Sequence, residues 1–123
     1  MVVVHKDVNI SREGFFDILQ NNQGIVIFKF GATWCRPCKL AEPYINARLK
    51  NIDDRVTYIT LDVDDAFDLY GFLQSKKMVN GIPAVLAYTK DNTSYASDFA
   101  VTSCNIKEIN AFFDQVEAKL KTL

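Results

Sequence analysis

The chain has 123 residues, of which 49% are hydrophobic and 24% are charged, and its formal net charge is −1. This length fits a single domain, residues 1–123, without room for two independent cores. The nearly balanced charge gives no basic excess for nucleic acid or an anionic membrane surface, and no apolar run approaches the length of a bilayer span. We therefore expect a globular monomer that binds neither nucleic acid nor membrane.

The N-terminus, MVVVHK, lacks the positively charged lead, the long apolar core and the small-residue cleavage site of a signal peptide. Three cysteines are too few and too unevenly spaced for the disulfide framework of a secreted protein. We expect a cytoplasmic protein in a reducing compartment. An exported form whose signal has been removed is the alternative.

Periodicity in the first part of the chain predicts strands that alternate with helices. Residues 2–5 predict a short strand, and Ser11 or Asn9 can cap a helix that ends near Gly24. Residues 25–30, IVIFKF, form a continuous apolar run that is typical of a strand buried on both faces.

The next helical pattern runs from Cys35 to about Ile52. The apolar positions that we expect to face the core are Leu40, Tyr44, Ile45, Leu49 and Ile52.

The rest of the chain continues the alternation and then changes it. Residues 56–63 predict a second buried strand and residues 65–75 another helix. Residues 83–88 and 95–101 predict two strands joined by the hairpin-like turn KDNTS. An amphipathic stripe then predicts a C-terminal helix, with Ile106, Ile109, Phe112, Phe113, Val116 and Leu120 on its apolar face. The order β-α-β-α-β-α-β-β-α predicts an α/β fold with one mixed sheet and helices on both faces.

Cys35 and Cys38 lie where the strand over residues 25–30 passes into a helix. Cys35 falls at the helix N-terminus, where unpaired N–H groups and the helix dipole favour the thiolate. Cys38 follows almost one turn later on the same face, and we expect it to be more buried. We predict that Cys35 attacks a disulfide of a partner protein and that Cys38 resolves the mixed disulfide. The cycle leaves an oxidised Cys35–Cys38 pair and needs no bound cofactor.

The segment WCRPCK, residues 34–39, follows a buried strand and opens a helix that carries Pro43. It resembles the active-site signature of the thioredoxin family, and Gly81-Ile82-Pro83 resembles the second marker of that family. The resemblance covers essentially the whole chain in element order and implies a thioredoxin fold. Taken alone, the bond before Pro83 would be trans. The resemblance implies instead a cis-proline that faces the cysteines and gives the substrate backbone an edge to pair with.

Further residues around the cysteines are candidates for substrate contact. Pro37 restricts the backbone between the two sulfurs, and Trp34 offers a flat, partly apolar surface for a polypeptide. Arg36 replaces the usual glycine, and it either favours acidic partners or is freely solvated. Ile82 and Pro83 would complete the substrate groove.

Lys29 departs from the family pattern. Thioredoxins usually carry a buried aspartate six residues before the first cysteine, where it helps to deprotonate the resolving thiol. The lysine that commonly accompanies this aspartate aligns with Thr60, and the tryptophan usual two residues after it is Gly31. Lys29 can reach outward to water or to an acid such as Asp62. Alternatively it lies beneath Cys38, where it stabilises the thiolate as an ammonium or accepts the proton as a neutral amine.

The same residues allow other interpretations. A C-x-x-C pair can be half of a zinc site, but only Cys104 and His5 remain as further thiolate or imidazole ligands. We expect Cys104 to be a small apolar filler, and a regulatory or dimer-forming thiol is the alternative. Asp62, Asp64 and Asp65 fit a solvated strand end and helix cap better than a metal site.

The sequence thus predicts a cytoplasmic protein-disulfide reductase of the thioredoxin type. By resemblance, its electrons come from an NADPH-dependent flavoprotein, thioredoxin reductase, or from glutathione. Two alternatives remain. One is a glutathione-linked or oxidising relative, and the other is an accessory subunit whose function survives the loss of both cysteines.

Overall fold

The structure is a computed structural model that describes residues 3–5 and 9–123. Its elements, in chain order, are β1 Val3–His5, α1 Arg12–Gln20, β2 Ile25–Gly31, α2 Arg36–Leu49, β3 Val56–Asp62, α3 Phe67–Ser75, β4 Ala84–Thr89, β5 Phe99–Val101 and α4 Ile106–Leu120. This order confirms the predicted alternation. Residue 2, which the sequence placed in the first strand, lies outside the described residues.

The strands form one five-stranded sheet in the order β1-β3-β2-β4-β5. β1, β3 and β2 run parallel, whereas β4 and β5 are antiparallel to their neighbours. Helices α1 and α2 form the crossovers between the three parallel strands, whereas β4 follows α3 in the reverse direction and a turn joins it to β5. The mixed sheet is therefore as predicted.

β2 lies at the centre of the sheet, and its side chains divide between two apolar cores. Ile25 and Ile27 pack on the face covered by α2 and α4, and Phe28 and Phe30 pack on the face covered by α1 and α3. This alternation explains why the strand is apolar except at Lys29. It also places Lys29 on the α2 side, in line with Ile25 and Ile27.

The apolar face predicted for α2 was partly wrong. Leu40 and Tyr44 are 49% and 39% exposed, although we expected them to face the core. The buried residues of the helix are Cys38, Ala41, Ile45 and Leu49. Leu40 and Tyr44 each precede a buried position by one residue, which rotates them about 100° away from the core. Ile52 is buried, but it follows the end of the helix.

The second strand of the predicted hairpin is also shorter than expected, because β5 contains only Phe99–Val101. In the preceding segment, Asp98 Oδ2 accepts hydrogen bonds from Thr89 N (2.8 Å) and from Asn92 Nδ2 (2.9 Å). The Tyr88 hydroxyl donates to the Tyr95 carbonyl (2.7 Å). Side chains thus take the place of strand pairing in this turn.

Smaller differences concern element ends. Ser11, not Asn9, caps α1, since its Oγ accepts from Gly14 N at 3.0 Å. α1 ends at Gln20, before Gly24. Within the described part of the chain, no helix is long and apolar enough to cross a membrane.

Candidate active site

The first turn of α2 carries both predicted reactive cysteines. Cys35 is the N-cap residue with extended backbone angles, and its Sγ accepts a hydrogen bond from Cys38 N at 3.2 Å. Pro37 lies in the same turn, where a missing backbone N–H leaves no helical hydrogen bond unmade. The helix therefore begins by presenting N–H groups to a sulfur, which favours a thiolate there.

Cys35 and Cys38 form a disulfide, with their Cα atoms 5.3 Å apart. We expected Cys38 to be the more buried residue, but both are 4% exposed in this disulfide-bonded state. Each sulfur is covered in part by the other, so exposure does not distinguish them. Their surroundings do, because Cys35 faces a loop and Cys38 faces the interior between α2 and the sheet.

The loop beside Cys35 contains the predicted proline. The Ile82–Pro83 bond is cis, as the family resemblance implied. The Ile82 carbonyl oxygen lies 3.9 Å from Cys35 Sγ. Pro83 itself is buried and Ile82 is half-buried, so Ile82 is the more accessible of the two residues. We call the surface made by Cys35, Trp34, Ile82 and Pro83 the groove.

The sequence analysis missed Tyr70, which holds the loop next to the groove. Its hydroxyl accepts a hydrogen bond from Gly81 N at 2.9 Å. Gly81 has φ of +108°, a conformation that a side chain would strain. No local pattern could identify this contact, because α3 and the loop meet only in the folded chain.

Trp34 is exposed, as predicted, with 66% of its surface accessible. Its indole Nε1 donates to Asp64 Oδ2 at 2.9 Å, so Asp64 orients the ring. Asp62 caps the same turn by accepting from Asp64 N at 2.8 Å. The sequence predicted these acids as a strand end and cap, but it gave no sign that Asp64 pairs with the tryptophan. Phe67 nearby in sequence is 74% exposed and was also missed.

Arg36 is exposed at the start of α2, between the two cysteines. Cys104 is half-buried and packs against the apolar core shared by α2 and α4, in agreement with its predicted role as a filler. Among the described residues, no group of three or more His, Cys, Asp or Glu side chains could hold a metal ion.

Lys29 is 8% exposed and lines the same pocket as Cys38. A Cβ atom added at Gly31 would be 3.4 Å from Cys38 Sγ and 4.0 Å from Lys29 Cε, so both side chains approach Gly31 closely. Burial lowers the pKa of Lys29, and the negative charge of Glu42 partly offsets this effect. The burial of Lys29 in a pocket with Cys38 favours the second of the two predicted placements, and the acid whose charge acts on Lys29 is Glu42 rather than Asp62.

Lys29 and Cys38 line a pocket of about 540 Å³ between α2 and the sheet, which we call the cleft. Its other charged or titratable side chains are Lys39, Glu42, Tyr58 and Asp62. Burial raises the pKa of Tyr58, with Glu42 adding to the effect. The cleft thus brings two amines and two carboxylates to the inner side of the disulfide.

The chain resembles known proteins in sequence and in fold. Residues 6–118 match the family model described as thioredoxin. The chain is 37% identical to a thioredoxin of Ophiophagus hannah over 54 residues, which is 44% of this chain and 50% of the relative. It is 30% identical to the chloroplastic thioredoxin Y2 of Arabidopsis thaliana over 74 residues, which is 60% of this chain and 42% of the relative. The matched segments thus span about half of these relatives.

A solved structure agrees over a longer range. The thioredoxin of Trichomonas vaginalis superposes with a TM-score of 0.70, covering 93% of this chain and 96% of that one, at 22% identity. At that identity the likeness concerns the fold, whereas the family match over residues 6–118 concerns the sequence. The chain therefore belongs to the thioredoxin family.

Proposed function

We propose that this chain is a thiol–disulfide oxidoreductase that reduces protein disulfides with Cys35 and Cys38. The observation that carries the proposal is the Cys35–Cys38 disulfide at the N-terminus of α2, next to the cis Ile82–Pro83 loop, in a chain of the thioredoxin family. The two sulfurs are in bonding contact, so the pair itself can carry two electrons.

The first half of the cycle uses the groove. The Cys35 thiolate attacks one sulfur of the partner's disulfide, and the other partner sulfur leaves as a thiolate that takes up a proton. Backbone N–H groups at the start of α2 stabilise the attacking thiolate. An extended partner segment can pair with the backbone of Ile82, while the exposed ring of Trp34 offers an apolar face.

The second half uses the cleft. Cys38 loses its proton and attacks Cys35 Sγ, which breaks the mixed disulfide and releases the second partner thiolate. The partner has then gained two electrons and two protons, and the Cys35–Cys38 disulfide is restored. Lys29 lies where the family usually carries its aspartate, and we propose that its ammonium stabilises the Cys38 thiolate.

Arg36 can add selectivity to the first step. It is exposed between the cysteines, so it meets a docked partner directly. An arginine there favours acidic surfaces, although solvent screening keeps its effect modest.

We further propose that the protein acts as a monomer in the cytoplasm, takes electrons from an NADPH-dependent thioredoxin reductase or from glutathione, and holds no bound cofactor. The family membership supports this assignment of substrates and donors. One matched relative is named chloroplastic, so the compartment is the part of the proposal that depends most on a direct test.

The test is an insulin-reduction assay with three donors side by side: thioredoxin reductase with NADPH, glutathione with its reductase, and dithiothreitol. We expect turnover with dithiothreitol and with one enzymatic donor. Cys35→Ser and Cys38→Ser should each abolish turnover, whereas Cys104→Ser, at the third cysteine of the chain, should retain it. Failure of the wild type with every donor would contradict the proposal.

A further inference from the structure

The cleft contains a residue that the redox cycle described above does not use. Glu42 follows Cys38 by four positions on α2, so the two side chains project from the same face of the helix. Both line the cleft. The carboxylate acts on groups of two strands, since it affects the pKa of Lys29 on β2 and of Tyr58 on β3. Glu42 therefore lies at the exposed side of the cleft, where its charge acts on both strands.

In the cleft, the carboxylate is carried by a different element from the one that usually carries it in the family. By resemblance, the strand normally supplies a carboxylate beneath the resolving cysteine. Here the strand supplies the ammonium of Lys29, and the helix supplies the carboxylate of Glu42. Both the lysine and the Cys38 sulfur approach Gly31 closely.

The charge on Lys29 is what matters for Cys38. A free lysine has a pKa of about 10.4 and a free cysteine a pKa of about 8.5, so an unperturbed lysine is still charged at the pH at which a thiol ionises. Burial lowers the pKa of Lys29 and narrows that gap, and Glu42 acts in the opposite direction. The charge of Glu42 therefore favours an ammonium at Lys29 when Cys38 loses its proton.

We propose that Glu42 is a positioning residue for the resolving step: it keeps Lys29 protonated in the cleft, so that a cation lies next to the Cys38 sulfur when that sulfur becomes a thiolate. The inference rests on the proposed redox cycle, because only there must Cys38 ionise while Cys35 is bonded to a partner. No new bond is made or broken, and Glu42 acts only through the charge of Lys29.

Other charges face Cys38 as well, and they must be separated from Glu42. Lys39 on α2 and Asp62 on β3 line the cleft, and burial raises the pKa of Tyr58. Glu42 could also act on the thiolate directly, by repulsion. The direct route and the route through Lys29 change the pKa of Cys38 in opposite directions. Removing a direct repulsion makes Cys38 easier to ionise, whereas removing the support of Lys29 makes it harder.

The experiment measures the ionisation of Cys38 without turnover. In a Cys35→Ser, Cys104→Ser background Cys38 is the single thiol, and its thiolate is followed by ultraviolet absorbance and by the pH dependence of iodoacetamide alkylation. We expect Glu42→Gln to raise the pKa of Cys38 and to slow alkylation at a fixed pH below the transition about threefold, as a Coulomb effect in a solvent-accessible cleft allows. Glu42→Asp should restore most of the rate.

Two further variants make the test specific. In a Lys29→Met background Glu42→Gln should no longer slow alkylation, because the lysine that it supports is gone. Asp62→Asn, which removes the other carboxylate of the cleft, should not slow alkylation either.

The inference is overturned if Glu42→Gln leaves the alkylation rate unchanged or speeds it, if its effect persists without Lys29, or if Asp62→Asn reproduces it. Glu42 is exposed, so its variants should fold. The insulin assay judges the proposed function separately, since the titration needs no substrate.

Discussion

The groove beside Cys35 and the cleft beneath Cys38 are built from different kinds of group. The groove consists mainly of backbone edges and apolar surface, with Ile82 O at 3.9 Å from Cys35 Sγ and an exposed Trp34. Six of the twelve residues that line the cleft are ionisable, and Lys29, Cys38 and Glu42 are among them.

The groove keeps the motifs of the thioredoxin family, whereas the cleft departs from them. A backbone edge can pair with many partner sequences, so a groove of this kind suits varied protein disulfides. Charged side chains in a partly closed pocket instead tune the ionisation of one sulfur. Attack at Cys35 and resolution at Cys38 can therefore be altered independently.

The largest expected effect concerns the fate of the mixed disulfide. Cys38→Ser should keep the attack on partners but remove its resolution, so covalent partner adducts should accumulate. Cys35→Ser removes the attacking sulfur and should trap essentially none. Non-reducing electrophoresis with a disulfide-bonded substrate such as insulin measures both. Equal trapping by the two variants would remove the distinction between groove and cleft.

The next effect concerns the redox equilibrium. If the ammonium of Lys29 stabilises the Cys38 thiolate, it favours the reduced dithiol, and Lys29→Met should make the protein a stronger reductant. We expect a several-fold shift of the equilibrium with glutathione towards the disulfide form, of the size of a partly screened charge interaction. Lys29→Asp should shift it in the same direction. An unchanged equilibrium and unchanged thiol pKa values in Lys29→Met would make Lys29 a structural residue only.

A matched change on the groove side is Tyr70→Phe. It removes only the hydroxyl that accepts from Gly81 N at 2.9 Å, a bond worth about 1 kcal/mol or roughly fivefold in affinity. We expect a higher KM for protein disulfides, with the pKa of Cys38 unchanged. Tyr44→Phe, at an exposed position of α2, is the control. A normal KM in Tyr70→Phe would show that other contacts hold the loop.

The smallest effect is on stability. The pKa of Lys29 is lowered in the folded chain, mainly by burial. Between that lowered pKa and the ordinary lysine value, the unfolded chain binds more protons than the folded one, so this lysine makes stability rise with pH in that window. Lys29→Met should therefore be more stable than the wild type at neutral pH, and its advantage should shrink as the pH rises towards the ordinary lysine value. Urea unfolding at several pH values measures this, and an advantage that grows with pH would contradict it.

The sequence predicts the groove better than the cleft. The order of strands and helices, the two cysteines and the proline loop follow from local patterns and short motifs. The predicted orientation of Leu40 and Tyr44 was wrong. Apolar residues on α2 lie on two neighbouring faces of the helix, and the sequence does not show which face packs on the core. The sequence did not identify Glu42, because its charge acts on Lys29 only when α2 packs on β2. Asp64 was missed for a similar reason, since its pairing with Trp34 spans thirty positions of the chain.

The most direct measurement of the central claim is which sulfur of the reduced protein reacts first. In the disulfide state both cysteines are equally buried at 4% exposure, so only the reduced protein can distinguish them. The Cys104→Ser variant, reduced and treated with limiting iodoacetamide, should carry the label on Cys35, as mapped by mass spectrometry, because that sulfur faces the groove and the N–H groups of α2. Preferential labelling of Cys38 would contradict the account, since it would exchange the attacking and the resolving sulfur.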